Sequence, residues 1–359
     1  MQIQSDSPKH FHLSYHELNQ TNMLIREKTP VRETTLQLVQ TYGYNSTSYF
    51  ALSKEKQIFV SSVGKSLISY VVQGNCILAL GDPIGPEHGL PQALKEFLQF
   101  CQSQGKVAAF WQAREELLPL YREQGLHVFK IGEDALLDVP HFTLKGNKMA
   151  NVRSSMHRAE KERLQIIFFR GNSVDSDLRE QMRCISQCWL MRKGGVEMSF
   201  SMGHLNVASD DAQLIACAID EQNQLHAFVS FVPIYGRRGW ALDLLRRRED
   251  AVPGAMDLLL VRSLEYLKAC NAEVLSLGLI PLNNNNQDLL PYWNRWGQAL
   301  LGCAKGFQQY KTLSFFKQKF CPRWENRYLI FPRRLDLLQV AIGLRQVHYP
   351  KHRSPTPLF

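Results

Sequence analysis

One stretch constrains this chain more than any other: Trp240-Ala-Leu-Asp243-Leu-Leu-Arg246-Arg-Arg-Glu-Asp-Ala-Val-Pro253-Gly254-Ala-Met-Asp257. Its first residues read as an apolar strand, its middle as a charged turn, and Pro253 and Gly254 let the chain swing into a helix. A helix N-terminus presents N–H groups and the positive end of the dipole, so such a turn favours anions. Period-two alternation predicts Asp243, Leu245 and Arg247 on one face of the strand and Leu244 and Arg246 on the other. An acid and a guanidinium are therefore expected at the strand's end, beside the turn. An ordinary strand-to-helix corner carrying a solvated basic cluster fits the same spacing.

The same grammar occurs twice. In the first half, Tyr49–Ser53, Lys56–Val60 and Leu67–Val72 read as short strands. Cys76–Gly81 is then a strand, Asp82–Pro86 a turn, Leu90–Gln104 a helix and Val107–Trp111 the next strand. In the second half, Ala227–Val232 and Gly239–Leu245 form a hairpin, the Pro253-Gly254 turn opens a helix to about Cys270, and Val274–Gly278 returns as a strand. Two copies of strand, turn, helix and strand point to an internal duplication. The predicted fold class is α/β (α+β), with mixed sheets flanked by helices. The predicted divisions are an N-terminal extension at 1–34, domains at 35–150 and 151–332, and a helix with a basic tail at 333–359.

With 359 residues, 45% of them hydrophobic, the chain can bury a core large enough for two domains. Its formal charge of +9 favours polyanionic partners such as nucleic acid or an anionic membrane surface. Between the halves, Asn151–Arg163 reads as a basic helix whose Arg153, Arg158, Lys161 and Arg163 suit either a phosphate backbone or a solvated face. The first residues lack the basic and apolar regions of a secretory signal, so a cytoplasmic location is expected. No apolar run approaches the ~20 residues that cross a bilayer, which limits membrane contact to peripheral contact. The eight cysteines form no Cys-x-x-Cys pair, and the eleven histidines form no His-Glu-x-x-His set. No metal site is expected; His10, His12 and His16 read as a surface cluster.

An antiparallel hairpin followed by strand, turn, helix and strand is the layout of acyltransferases of the GNAT type. Here the usual Gln/Arg-x-x-Gly-x-Gly/Ala turn is absent from both halves, which argues against acetyl-coenzyme A as the donor. Toward the C-terminus, Lys305-Gly-Phe307 leads into Leu313–Leu329, a segment carrying Lys317, Lys319, Trp324, Glu325 and Arg327. Together with the Asp243/Arg246 strand, Ile131–Ala135, Gly81–Pro86, Phe200–Gly203 and Leu277–Leu282, it resembles the catalytic domain of the bacterial aminoacyl-phosphatidylglycerol synthases over roughly residues 35 to 332.

That resemblance implies tandem GNAT-like domains, the second carrying the site. It implies transfer of lysine or alanine from aminoacyl-tRNA to a hydroxyl of phosphatidylglycerol, at the inner face of the membrane. The donor is already an activated ester, so no cofactor is implied. The site residues carried over are Asp243, Arg246, Lys319 and Glu325 for catalysis, and Lys317, Arg327, Gly254, Arg153 and Lys305 for substrate. Strand alternation puts Asp243 and Arg246 on opposite faces, so a shared role calls for a bulge between them. Well-known members also carry a long N-terminal membrane region that moves the product lipid across the bilayer, which is not found in this sequence. Other readings of the same features are transfer to a different acceptor, an N-acyltransferase using a thioester, or a module that binds tRNA or anionic membrane without chemistry. Finally, Arg333–Arg345 reads as a short helix with an apolar stripe and basic ends, suited to a headgroup layer or to capping the core. The residues from Pro350 on read as a disordered basic tail.

Overall fold

The computed structural model describes residues 29–192, 199–203, 205, 211–281 and 314–349. The expectations for Lys305, for His10, His12 and His16, and for the tail from Pro350 fall outside those residues.

The described strands form one mixed sheet. Its order is β1 (Gln57–Val60), β2 (Leu67–Gln73), β3 (Cys76–Leu80), β4 (Val107–Arg114), β11 (Arg323–Phe331), β5 (His127–Asp138), β10 (Val274–Pro281), β9 (Gly239–Arg247), β8 (Leu225–Ile234), β7 (Leu214–Ile219) and β6 (Gln165–Arg170). The fold class is the expected α/β one. Both halves run as antiparallel strands ending in a parallel pair joined by a helix. In the first, β3 and β4 flank α2 (Leu90–Ser103); in the second, β9 and β10 flank α6 (Ala255–Ala269). The strand that follows each parallel pair crosses to the other half. β5 pairs with β10, β11 pairs with β4, and β5 and β11 pair with each other at the centre. The halves are thus sewn together by exchanged strands, whose pairings join residues far apart in the chain, such as Val274 with Asp138 and Arg327 with Arg114.

One face of the sheet is covered by α2 and α3 (Leu118–Glu123) over the first half, and by α4 (Ala150–Lys161) and α6 over the second. The helices use spacing of three and four to bury one stripe: Leu94, Phe97 and Cys101 of α2, Val152, Met156 and Ala159 of α4. The other face is covered by α5 (Ser176–Arg192) over the second half and by α7 (Leu337–His348) over the first. An additional helix, α1 (Thr29–Tyr42), precedes the sheet. Strands β7 and β8 are buried along their whole length, as expected of strands sandwiched between helices.

One expected strand is absent. Tyr49–Ser53 does not extend, because Ser48–Leu52 is a 3-10 helix. The Asn45 side chain causes this. Its Oδ1 accepts the Thr47 N–H at 3.1 Å and the Thr47 hydroxyl at 3.0 Å, winding the chain tightly before the apolar residues arrive. No helix among the described residues is long and apolar enough to cross a membrane.

Candidate active site

The two parallel pairs differ where it matters. β3 and β4 stay paired from Cys76/Val107 to Leu80/Trp111. β9 and β10 pair only at Gly239/Val274, Trp240/Leu275 and Ala241/Ser276, after which β9 continues to Arg247. Gly278 has φ +86°, a left-handed turn that suits glycine, and β10 then resumes pairing with β5 through a register shift between Ser276 and Leu279. The strands of the second half therefore diverge into a wedge at their carboxyl ends, the usual place for a ligand in a parallel βαβ unit.

Asp243 and Arg246 lie on the β9 wall of that wedge. Val229 pairs with Leu245 but Phe231 pairs with Leu242, so β9 spends three residues where β8 spends two. This bulge overturns the strict alternation expected from sequence. Leu242 and Leu245 both pack into the core beneath α6. Leu244 packs toward α5, and Ser230, on that same face, donates its hydroxyl to Asp243 Oδ2 at 3.5 Å and accepts the Leu244 N–H at 3.1 Å. The Arg246 guanidinium lies 5.1 Å from the ring centre of Trp189 on α5. Asp243 and Arg246 are 2% and 3% exposed, so each ionised group is fixed by its surroundings and not by solvent.

The segment 199–203 closes over Asp243, with the Gly203 N–H donating to Oδ1 at 2.7 Å. That segment is anchored by the end of α7. The Ser199 N–H donates to the His348 carbonyl at 3.2 Å, and the His348 ring stands edge-on between Trp111 and Phe200. His348 Nδ1 faces the Leu344 carbonyl at 2.7 Å and Nε2 lies 3.2 Å from Ser201 Oγ. Burial pushes the imidazole down to about 4, against the opposing pull of the Leu344 carbonyl, so the ring is neutral and Nε2 accepts the serine hydroxyl. Next to Phe200 lies Lys56, whose ammonium burial lowers to about 7; it donates to the Phe50 carbonyl at 3.0 Å.

The opposite wall carries Lys317, from a helical turn at 314–318. Its Nζ donates to the carbonyls of Gly278 and Leu279 at 2.9 and 3.3 Å, at the point where β10 leaves its parallel partner. Burial lowers its pKa to about 8, with Asp134 pulling the other way. Lys319, preferred over Lys317 on sequence, is instead tied to Asp257 in the first turn of α6. Gly254 does not offer an open anion site. A Cβ there would collide with the Ser155 carbonyl of α4, Ser155 also donates to Asp257 Oδ2 at 2.5 Å, and the carboxylate already supplies the negative charge the helix end favours. Arg153, expected on a phosphate, caps the preceding loop by donating to the carbonyls of Leu144 and Gly146.

Glu325 and Arg327 belong to a buried network at the apex of the wedge. Arg327 (β11) donates to Asp134 Oδ2 (β5) at 2.9 Å and to Glu325 Oε2 at 3.2 Å. Asp134 also accepts Ser46 and Ser276 hydroxyls at 2.6 Å each. Arg237 grips Glu325 with two bonds of 3.0 and 2.8 Å. Burial by itself raises the Glu325 pKa, but Arg237 and Arg327 outweigh it and bring it to about 2. Ser276 is the last residue of β10 paired with β9, so this network holds β5, β10 and β11 where the wedge begins.

Sequence reasoning singled out Asp243, Arg246, Lys317, Glu325 and Arg327, and the structure brings them to the two walls and the apex. It missed Ser230, Trp189, Lys56 and His348 altogether, and Asp134 and Gly203 appeared only within short motifs. Among the described residues no group of three or more His, Cys, Asp or Glu side chains is placed to hold a metal ion.

The chain matches known proteins over most of its length. Residues 36–331 match the family model described as phosphatidylglycerol lysyltransferase, C-terminal. The phosphatidylglycerol lysyltransferase of Bacillus subtilis (strain 168) is 29% identical over 297 residues, covering 82% of this chain and 34% of that protein. The lysylphosphatidylglycerol biosynthesis bifunctional protein LysX of Mycobacterium tuberculosis (strain H37Rv) is 30% identical over 324 residues, covering 85% of this chain and 26% of that one. The chain thus matches only about a third of the length of the first of these relatives and about a quarter of the second. Among solved structures, L-PGS from Bacillus licheniformis superposes with a TM-score of 0.77 at 26% identity, covering 88% of this chain and 96% of that one. A C-terminal domain from Agrobacterium fabrum, described as that of a lysylphosphatidylglycerol synthetase, gives 0.77 at 27% identity, covering 90% and 98%.

Proposed function

The chain belongs to the phosphatidylglycerol lysyltransferase C-terminal family, and from that premise we propose that it moves a lysyl group from aminoacyl-tRNA to a glycerol hydroxyl of phosphatidylglycerol at the inner face of the membrane. The observation that carries this reading is the wedge between β9 and β10, with the Asp243 carboxylate fixed on one wall by Gly203 and Ser230 and the Lys317 amine on the other.

In this reaction the acceptor oxygen bonds to the aminoacyl carbon, the bond to the tRNA ribose oxygen breaks, and the hydroxyl proton passes by way of the enzyme to the leaving ribose oxygen. One ester replaces another, so the step needs no energy input, only positioning and charge stabilisation. Lys317, with a pKa of about 8, holds a useful fraction of neutral amine near neutral pH and is our candidate proton acceptor. Asp243 binds the ammonium of the aminoacyl group, and Arg246, beside the Trp189 ring, takes a phosphate of the lipid or of the tRNA terminus. The exposed Arg158 and Lys161 of α4 offer basic surface to the tRNA backbone.

The test is to express the chain in a bacterium that lacks aminoacylated lipids and analyse the lipid extract by mass spectrometry. Phosphatidylglycerol heavier by one lysyl group, absent with Asp243→Asn, is the expected result. An alanyl increment corrects the amino acid. No new lipid from folded, expressed protein overturns the transferase reading and leaves a module that binds tRNA or membrane.

A further inference from the structure

Helix α7 lies beyond the family-matched residues, which end at 331, and its two faces have very different surroundings. Inward, Val340, Ala341 and Leu344 are buried against the first half of the sheet, and Gly343 lets the helix approach Leu78 and Cys76 closely. Outward, Leu335 in the preceding turn is 91% exposed, Leu338 45% and Ile342 50%. These three stand at i, i+3 and i+7, one stripe along the helix. Arg334 flanks the stripe at one end and Arg345 at the other, both exposed. The only acid between 333 and 349, Asp336, is buried and held by Arg333 and Gln339. The exposed surface is therefore aliphatic and cationic with no carboxylate to oppose it.

We propose that this face of α7 docks the protein onto an anionic phospholipid bilayer, with Leu335, Leu338 and Ile342 in the headgroup layer and Arg334 and Arg345 on lipid phosphates. Aliphatic residues flanked by arginine are what a surface-lying helix needs, since burial and charge attraction add. The same helix is linked to the β9 wall of the wedge through the segment 199–203. Its last residue, His348, touches Ser199 and Ser201, and two residues later Gly203 donates to Asp243. A helix of 12 residues is about 18 Å long. Docking through α7 therefore holds the bilayer surface within roughly that distance of the wedge. The choice of acceptor rests on the reading above; the docking surface is tested separately from it.

The test uses the full chain and flotation with vesicles of phosphatidylglycerol mixed with phosphatidylcholine, and with phosphatidylcholine alone. The protein is expected to float with the anionic vesicles and less at high salt. Leu335→Glu with Ile342→Glu, and separately Arg334→Gln with Arg345→Gln, should each cut the bound fraction at least tenfold while the melting temperature holds. Turnover of a short-chain, monomeric phosphatidylglycerol should be the same in these variants as in the parent. Failure of the parent to float, or variants that float as well as the parent, overturns the docking proposal. Loss of flotation in the variants with no turnover of the short-chain lipid by any of them upholds docking and sinks the acceptor instead.

Discussion

Oδ1 of Asp243 accepts the backbone N–H of Gly203 at 2.7 Å, and a Cβ on Gly203 would lie 2.5 Å from Oδ2 of the same carboxylate. The acid is thus held by a contact that only glycine allows. Gly203→Ala must push either the segment or the carboxylate aside by about an ångström, and a displacement of that size costs on the order of 100-fold in rate. We expect turnover to fall by about that factor with little change in melting temperature, measured by lipid aminoacylation and by circular dichroism on the same preparation.

Much of the fold could be read from the chain because it is local. Hairpins, the Pro253-Gly254 corner and the basic helix announce themselves in hydrophobic period and turn chemistry. What could not be read depends on distant partners. The bulge that brings Asp243 and Arg246 to one face appears only in the register of β9 on β8. The exchange of β5 and β11 rests on pairing across the molecule. Lys317 and Lys319 have the same chemistry two positions apart, and only burial against Gly278 as opposed to pairing with Asp257 separates them. His348 lies at the end of a helix that the sequence carries only to Arg345, as an amphipathic segment suited to a headgroup layer or to capping the core.

Lys317 should set two pH dependences. In the folded protein its pKa is about 8, below the ordinary lysine value of 10.5. The folded state therefore disfavours the charged form. The penalty is present in full below about 8 and is relieved as pH rises toward 10.5, a gain on the order of 3 kcal/mol. Denaturant unfolding at pH 7, 8, 9 and 10 should show a rise that is smaller in Lys317→Met than in the parent by about this amount, the remainder coming from Lys56, whose lowered pKa acts in the same direction. Independently, kcat/KM should climb through about pH 8 as the amine becomes neutral, and that limb should vanish in the same variant.

The Arg246 guanidinium lies 5.1 Å from the centre of the Trp189 ring. Lysine keeps the charge but not the planar fork of donors. Arg246→Lys is expected to lower kcat/KM by roughly tenfold or more, the equivalent of about 1.4 kcal/mol. Trp189→Leu should produce part of the same loss. An Arg246→Lys enzyme with parental kcat/KM would show that a bare positive charge is enough there.

The Arg327–Asp134 pair, 1% and 0% exposed, should be strongly coupled. Removing Arg327 as methionine leaves Asp134 charged and buried with only the Ser46 and Ser276 hydroxyls, which should cost about 3 to 5 kcal/mol. Adding Asp134→Asn to that variant removes the stranded charge, so the double variant should be more stable than Arg327→Met alone and the double-mutant cycle far from additive. Glu325→Gln acts on the same network from the rim. The Glu325 carboxyl is held near 2, so its contribution is full above 4.5 and fades as pH falls toward 2. The variant's stability should therefore decline less steeply than the parent's over that acid window, the remaining decline coming from other carboxylates with lowered pKa such as Glu96 and Asp220. If the cycle proves additive, the pair does not act as a unit. The apex of the wedge would then owe its rigidity to the packing of β5, β10 and β11 alone, and the two arginine–carboxylate contacts would contribute only as separate hydrogen bonds.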